Sequence, residues 1–263
     1  MKNLKIKFFK CRDRKKEQLS PFRFFKKNLP YYYRLRFPRP KSILSACHFL
    51  SPLNWHFELT TKERFFLSYF CKMKQPKLIC MGDSLTEGYG ISESDRWSDL
   101  LQKDLKIEIV NQGISGDTTG GMLARFQTDV LAENPTYVII MGGTNDLWFG
   151  LSPKLILSNY HSMLRHARRA GIKAIIGLPT VVFHEGFLDE DDPRIFTPLS
   201  ELSEKIKDFK AQLKIYANDQ ELPLIDFSKN LTPNHFLSDG VHPNEAGNLV
   251  MKENAVGVLR GFF

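Results

Sequence analysis

Residues 77–90 read KLICMGDSLTEGYG, an apolar run that breaks at a glycine into a polar segment. The run from Leu78 to Met81 predicts a buried strand, and Gly82 predicts a tight turn at its end. Ser84 then falls at the carboxyl end of a strand, where open parallel sheets place their ligands and chemistry. Taken alone, the stretch leaves two interpretations of Ser84: a helix N-cap, or a nucleophile served by a base and an oxyanion site.

The charge divides the chain into two unlike parts. Residues 1–72 hold 18 Lys and Arg against 4 Asp and Glu, whereas residues 73–263 hold 19 against 25. The net charges are therefore +14 and −6, and the overall value of +8 describes neither part. We predict a basic, aromatic-rich leader over residues 1–72 and a globular domain over residues 73–263.

Three interpretations of the leader stay open. Its mixture of Lys and Arg with Phe and Tyr suits a disordered arm that binds RNA or anionic lipid. Aromatic side chains beside cations also suit a membrane surface. The third interpretation is a misassigned start, with the natural chain beginning at Met73, four residues before the first strand. Nucleic acid or a membrane surface is a predicted partner only if the leader is real.

The cysteines point to a reducing compartment. Of the four cysteines, three lie in the leader, and their spacing matches neither a disulfide framework nor a zinc site. We therefore expect a cytoplasmic protein without a metal or other cofactor. No run of about 18 apolar residues is present, so the sequence predicts no membrane-spanning helix.

The order of apolar patterns defines the fold class. Five short apolar runs predict strands at 78–81, 107–110, 137–141, 174–178 and 224–225. Helical patterns alternate with them at 97–105, 122–131, 153–170, 199–216 and 244–260. This alternation predicts an α/β protein with a parallel sheet of about five strands and helices on both faces.

Polar turns follow the strands and collect on one edge of such a sheet. They occupy residues 82–87, 113–119, 142–146 and 239–242. Together they hold what acyl transfer requires: a nucleophile, a base with an orienting carboxylate, and amide donors for an oxyanion. The spacing of Asp239 and His242 allows both side chains to lie on one turn.

Four ordered blocks carry a family resemblance. They are Gly82-Asp83-Ser84-Leu85, Gly113-Ile114-Ser115-Gly116-Asp117-Thr118, Gly143-Thr144-Asn145-Asp146 and Asp239-Gly240-Val241-His242-Pro243. The sequence resembles the GDSL, or SGNH, family of serine hydrolases, and within it the branch of thioesterase I/lysophospholipase L1 and small bacterial arylesterases. The resemblance covers residues 73–263. It implies a flavodoxin-like three-layer sandwich with strand order 2-1-3-4-5.

The resemblance also implies roles for particular residues. It implies Ser84 as the nucleophile, His242 as the general base and Asp239 as the carboxylate that orients the base. The implied oxyanion donors are the N–H groups of Ser84 and Gly116 and the side-chain amide of Asn145. No metal ligand is implied.

The implied activity is cleavage of a carboxylic ester or thioester of a small to medium acyl group through an acyl-enzyme. A carbohydrate O-deacetylase or an acyltransferase would use the same triad, and a binding module with a vestigial site is a non-enzymatic alternative. We expect Asp83, Asp117 and Asp146 to hold loops rather than to react. Trp148 and Phe149 either line an acyl pocket or pack in the core.

Overall fold

The structure is a computed structural model that describes residues 75–183 and 197–262. The predictions about residues 1–72 lie outside these ranges. The described strands form one parallel sheet in the order β2-β1-β3-β4-β5. They are β1 (Lys77–Gly82), β2 (Glu108–Gly113), β3 (Tyr137–Met141), β4 (Lys173–Leu178) and β5 (Leu224–Asp226). This order is the one expected, and it confirms the predicted fold class.

Helices connect the strands. The α-helices are α1 (Ser84–Glu87), α2 (Trp97–Leu105), α3 (Thr119–Phe126), α4 (Thr144–Trp148), α5 (Pro153–Arg169), α6 (Leu199–Asp219) and α7 (Glu245–Leu259). Short 3-10 turns cover Glu93–Asp95 and Pro233–His235. Within the described ranges, no helix is long and apolar enough to cross a membrane.

Each face of the sheet buries its own apolar cluster. Neighbouring residues of a strand point to opposite faces, so Ile79 and Met81 join one cluster while Leu78 and Cys80 join the other. Helices α3, α5 and α6 cover the first cluster, and α2 and α7 cover the second. Covering both faces explains why the central strands β1, β3 and β4 read as continuous apolar runs.

The α3 region differs from its prediction. One helix was expected over residues 122–131, but α3 begins at Thr119 and a wider π-helical turn follows over Gln127–Leu131. Val130 still packs in the core, as a continued α-helix would also allow. Apolar spacing therefore does not separate the two helix types here.

Two further elements are longer or more regular than predicted. The second strand was expected at 107–110 but spans Glu108–Gly113, because its polar residues still pair with β1. The Asn111 side-chain amide donates to the Thr86 carbonyl at 2.7 Å, which gives this polar residue a partner inside the fold. The predicted turn after β3 contains a short helix, Thr144–Trp148.

Candidate active site

Three neighbouring strands bring the first three motif blocks together. In the register of the sheet, Gly82 at the end of β1 pairs with Gly113 of β2 on one side and Met141 of β3 on the other. The loops that follow these three strands therefore emerge side by side. Ser84 follows the middle strand, β1, whereas Gly116 follows β2 and Asn145 follows β3.

Ser84 is the first residue of α1, and Asp83 is the helix N-cap. The Leu85 N–H donates to Asp83 Oδ1 at 3.0 Å, so the capping interpretation applies to the aspartate. Ser84 is 7% exposed, and its hydroxyl is not needed to begin the helix.

The His242 ring links Ser84 to Asp239. His242 Nε2 lies 2.8 Å from Ser84 Oγ, and His242 Nδ1 lies 2.7 Å from Asp239 Oδ2. Asp239 Oδ1 accepts the N–H groups of Val241 and His242, each at 2.9 Å. An ionised carboxylate only accepts, so these contacts assign the proton to Nδ1 and leave Nε2 to accept the Ser84 O–H.

The same contacts keep Asp239 ionised. Burial alone would raise the pKa of Asp239, but the hydrogen bonds from the His242 ring and from two backbone N–H groups outweigh it and hold the pKa below its usual value. A charged Asp239 stabilises a positively charged imidazole. The pair can therefore support proton transfer from a hydroxyl at Ser84.

Three hydrogen-bond donors follow the neighbouring strands β1, β2 and β3. The N–H groups of Ser84 and Gly116 have no hydrogen-bond partner among the described residues. The Asn145 amide donates one hydrogen to the Asp117 carbonyl at 2.8 Å, and its second has no partner in the same ranges. Donors left unpaired on neighbouring loops can receive a developing oxyanion.

Two aspartates hold these loops, as the sequence predicted. Asp117 accepts a hydrogen bond from Arg125 Nε at 2.7 Å. Buried Asp146 accepts the Thr119 N–H at 2.9 Å and the Thr119 hydroxyl at 2.5 Å. The structure adds Arg125, which the sequence analysis missed: its guanidinium also donates to the Gly82 carbonyl at 2.9 Å. Arg125 therefore ties the Ser84 loop to the Gly116 loop.

Tyr89 is a second residue that the sequence analysis missed. Its ring lies over the His242 ring with centroids 4.4 Å apart and planes at 37°. The sequence carries no signal for this contact, because it joins two distant parts of the chain. The sequence left open whether Trp148 and Phe149 line an acyl pocket or pack in the core. Trp148 packs against the core, whereas Phe149 is half exposed.

Asp83 is buried beside this site with an unusual carboxyl. Its Oδ2 atom has no hydrogen-bond partner among the described residues. Burial raises the pKa of Asp83 from 3.8 to about 7, and the carboxylates of Asp146 and Asp117 add to the rise. The hydrogen bond from the Leu85 N–H opposes the rise in part, and so does His242 when its ring is protonated.

We expect Asp83→Asn to change how stability depends on pH. Between pH 3.8 and about 7 the folded protein keeps a proton on Asp83 that the unfolded chain has lost. The contribution of the protonated Asp83 carboxyl to the free energy of unfolding is fully present below this window. It is lost as pH rises through the window. Urea unfolding should show the wild type losing a few kcal/mol relative to Asp83→Asn across the window, since one pKa unit is about 1.4 kcal/mol. A difference that does not vary with pH would contradict the shifted carboxyl.

Within residues 75–183 and 197–262, no group of three or more His, Cys, Asp or Glu side chains could hold a metal ion. Burial raises the pKa of the Cys80 thiol, which lies inside the sheet.

The fold and the site define a class of protein: a flavodoxin-like three-layer α/β protein with a serine, histidine and aspartate joined at the carboxyl edge of its sheet. Comparison with known families narrows this class. The model of the GDSL-like lipase/acylhydrolase family matches residues 80–250. The chain belongs to this family of hydrolases, which confirms the resemblance predicted from the four blocks.

Named relatives agree with the family. Esterase TesA of Pseudomonas aeruginosa is 38% identical over 104 residues, which is 38% of this chain and 52% of that protein. The acetylxylan esterase of Geobacillus stearothermophilus is 31% identical over 56% of this chain and 70% of its own length. The arylesterase of Vibrio mimicus is 28% identical over 66% and 86%, respectively. The match thus spans about half of the first relative and more of the other two.

A solved structure supports the fold. The crystal structure of a member of the lipolytic protein G-D-S-L family from Veillonella parvula superposes with a TM-score of 0.59. It shares 25% sequence identity and covers 70% of this chain and 98% of its own. The described sheet and its helices therefore form the architecture of that family.

Proposed function

We propose that residues 73–263 form a serine hydrolase that cleaves carboxylic ester or thioester bonds of small to medium acyl substrates. The observation that carries the proposal is the hydrogen-bond chain from Ser84 Oγ through the His242 ring to Asp239, with steps of 2.8 and 2.7 Å. The named esterase relatives support ester hydrolysis as the reaction class. The domain is proposed to act without a cofactor.

Acylation begins with proton transfer. As Ser84 Oγ attacks the acyl carbonyl carbon, its proton passes to His242 Nε2, and Asp239 stabilises the imidazolium that results. The carbonyl oxygen becomes an oxyanion and accepts hydrogen bonds from the Ser84 N–H, the Gly116 N–H and the Asn145 amide. His242 then protonates the departing alcohol or thiol, which leaves the acyl group on Ser84.

Deacylation repeats the same steps with water. His242 takes a proton from the attacking water, and the second tetrahedral intermediate forms in the same oxyanion site. When it collapses, His242 returns the proton to Ser84 Oγ and the carboxylic acid leaves. An alcohol that replaces water at this step would receive the acyl group, so one site supports hydrolysis and acyl transfer.

A second candidate is carbohydrate O-deacetylation. One specific observation favours it: a relative named acetylxylan esterase is 31% identical over 157 residues. The chemistry is the same, with acetyl as the acyl group and a sugar hydroxyl as the leaving group. The two candidates differ in the leaving group that the protein has to bind, which is a sugar in the second candidate.

A substrate panel tests the proposal. We expect turnover of p-nitrophenyl esters and acyl-coenzyme A thioesters, with the highest kcat/KM among the short and medium acyl chains that the proposal names. Acetylated xylan in the same panel separates the deacetylase, which would release acetate from it faster than from simple esters. Added alcohols reveal acyl transfer as new ester products. Absence of turnover on every ester and thioester would contradict the proposed function.

A further inference from the structure

Gly116 lies in a turn that is closed by the Asp117 N–H, which donates to the Ile114 carbonyl at 3.1 Å. Ser115 and Gly116 are exposed, and Gly116 adopts a φ of +80° with no heavy atom within 4 Å of the position that a Cβ would take. A donor in such a loop helps catalysis only if its direction is fixed before the reaction. Whatever holds the neighbouring residues therefore decides where the Gly116 N–H points.

One side of the loop is anchored through Asp117, whose carboxylate binds Arg125 and whose carbonyl accepts the Asn145 amide. The other side is anchored by Glu87. The Ser115 N–H donates to Glu87 Oε2 at 2.6 Å, and the Ser115 hydroxyl donates to the same oxygen. Hydrogen bonds to a carboxylate are stronger than neutral ones.

Glu87 connects the helix that carries Ser84 to the loop that carries Gly116. It is the last residue of α1, the helix that begins with Ser84, and Ser115 directly precedes Gly116. The approach is close: a Cβ added at Gly113 would lie 2.1 Å from the Glu87 backbone nitrogen. The end of β2 therefore packs directly on α1, and the Glu87 carboxylate bridges the short remaining gap.

We propose that Glu87 is a positioning residue that fixes the Gly116 N–H relative to the Ser84 nucleophile. The inference rests on the proposed function and deepens it, because it assigns a role to a residue outside the triad and the donor set. Glu87 acts through the loop and touches neither the acyl group nor the leaving group. Its loss lowers the rate of the chemical step and leaves the affinity for the ground-state ester almost unchanged.

Glu87→Ala tests the proposal on the full chain with p-nitrophenyl acetate. We expect kcat to fall about 10-fold, less than for loss of a whole donor, with KM changed by less than about 2-fold. A phenylboronic acid, which forms a tetrahedral adduct on serine, should bind more weakly by the same factor as kcat falls. Wild-type turnover in the same assay tests the proposed function separately, so the two claims fail independently.

Matched variants give the controls. Glu87→Gln keeps one carbonyl oxygen that can accept both Ser115 hydrogens, so it should restore most of kcat. Glu93→Ala removes an equal charge from a nearby exposed glutamate that pairs with Arg96 at 3.4 Å, and it should leave kcat unchanged. Ser115→Ala removes one of the two hydrogen bonds and should cost less than Glu87→Ala.

Three outcomes would overturn the positioning role. The first is a kcat for Glu87→Ala equal to that of Glu93→Ala. The second is a Glu87→Gln variant as slow as Glu87→Ala. The third is a loss that appears in KM with kcat and boronate affinity unchanged. Should Glu87→Ala fail to fold, Ser115→Ala decides the question with the same two readouts: unchanged kcat and boronate affinity there also overturn it.

Discussion

Ser84→Ala should abolish turnover while the protein remains folded. The proposed nucleophile is the Ser84 hydroxyl, so its removal should lower kcat by at least about 10⁴-fold, as in other serine hydrolases that lose a triad member. The fold should persist because Asp83, not Ser84, caps α1, and alanine is a good helix former. Steady-state kinetics and thermal unfolding of the same preparation check both parts.

The control for this variant is Ser94→Ala. Ser94 is an exposed serine in the 3-10 turn before α2, outside the proposed site, so its loss should change neither kcat nor the melting temperature. A Ser84→Ala protein with turnover near that of Ser94→Ala would remove Ser84 from the mechanism. A Ser84→Ala protein that unfolds would instead contradict the assignment of the cap to Asp83.

Asn145→Ala should lower kcat by roughly 10²–10³-fold, the usual loss for one oxyanion donor. One hydrogen of its amide has no partner among the described residues, and Asn145 follows β3, the strand next to β1. The loss should appear in kcat more than in KM, because an oxyanion exists only in the transition state and the intermediates.

Asn145 also donates to the Asp117 carbonyl at 2.8 Å, so the variant needs a control for loop stability. Asn159→Ala is suitable, because the Asn159 amide donates to Thr119 Oγ1 at 3.0 Å and supports the same region without belonging to the proposed donor set. We expect Asn159→Ala to retain kcat within a few-fold. An unchanged kcat for Asn145→Ala would remove Asn145 from the site.

Much of the fold was predictable because both faces of the sheet are buried. The apolar runs of β1, β3 and β4 are the central strands of the sheet, and β3 was predicted at its observed bounds, Tyr137–Met141. The ends of β2 and the turn at Gln127–Leu131 were not predictable, since polar pairing with β1 and a change of helix type leave no apolar signal. Helix α4 was missed because a five-residue helix has the composition of a turn.

Sheet topology predicted which loops of the candidate site are neighbours, but it did not predict the side-chain contacts between them. Loops after neighbouring parallel strands emerge together, which explains why the segments that carry Ser84, Gly116 and Asn145 lie side by side. Tyr89 and Arg125 could not be found in this way. The contact of Tyr89 with the His242 ring and the bonds of Arg125 to two loops depend on tertiary packing that no local spacing records.

The central claim is that Ser84 is a nucleophile activated by His242. The most direct measurement is the intact mass and peptide map of the protein after reaction with a fluorophosphonate, with Ser84→Ala as the blank. We predict one phosphonyl adduct, located on Ser84, with loss of esterase activity in step with labelling and no adduct on Ser84→Ala. A protein that stays unlabelled, or one that carries the adduct on another residue, would contradict the account.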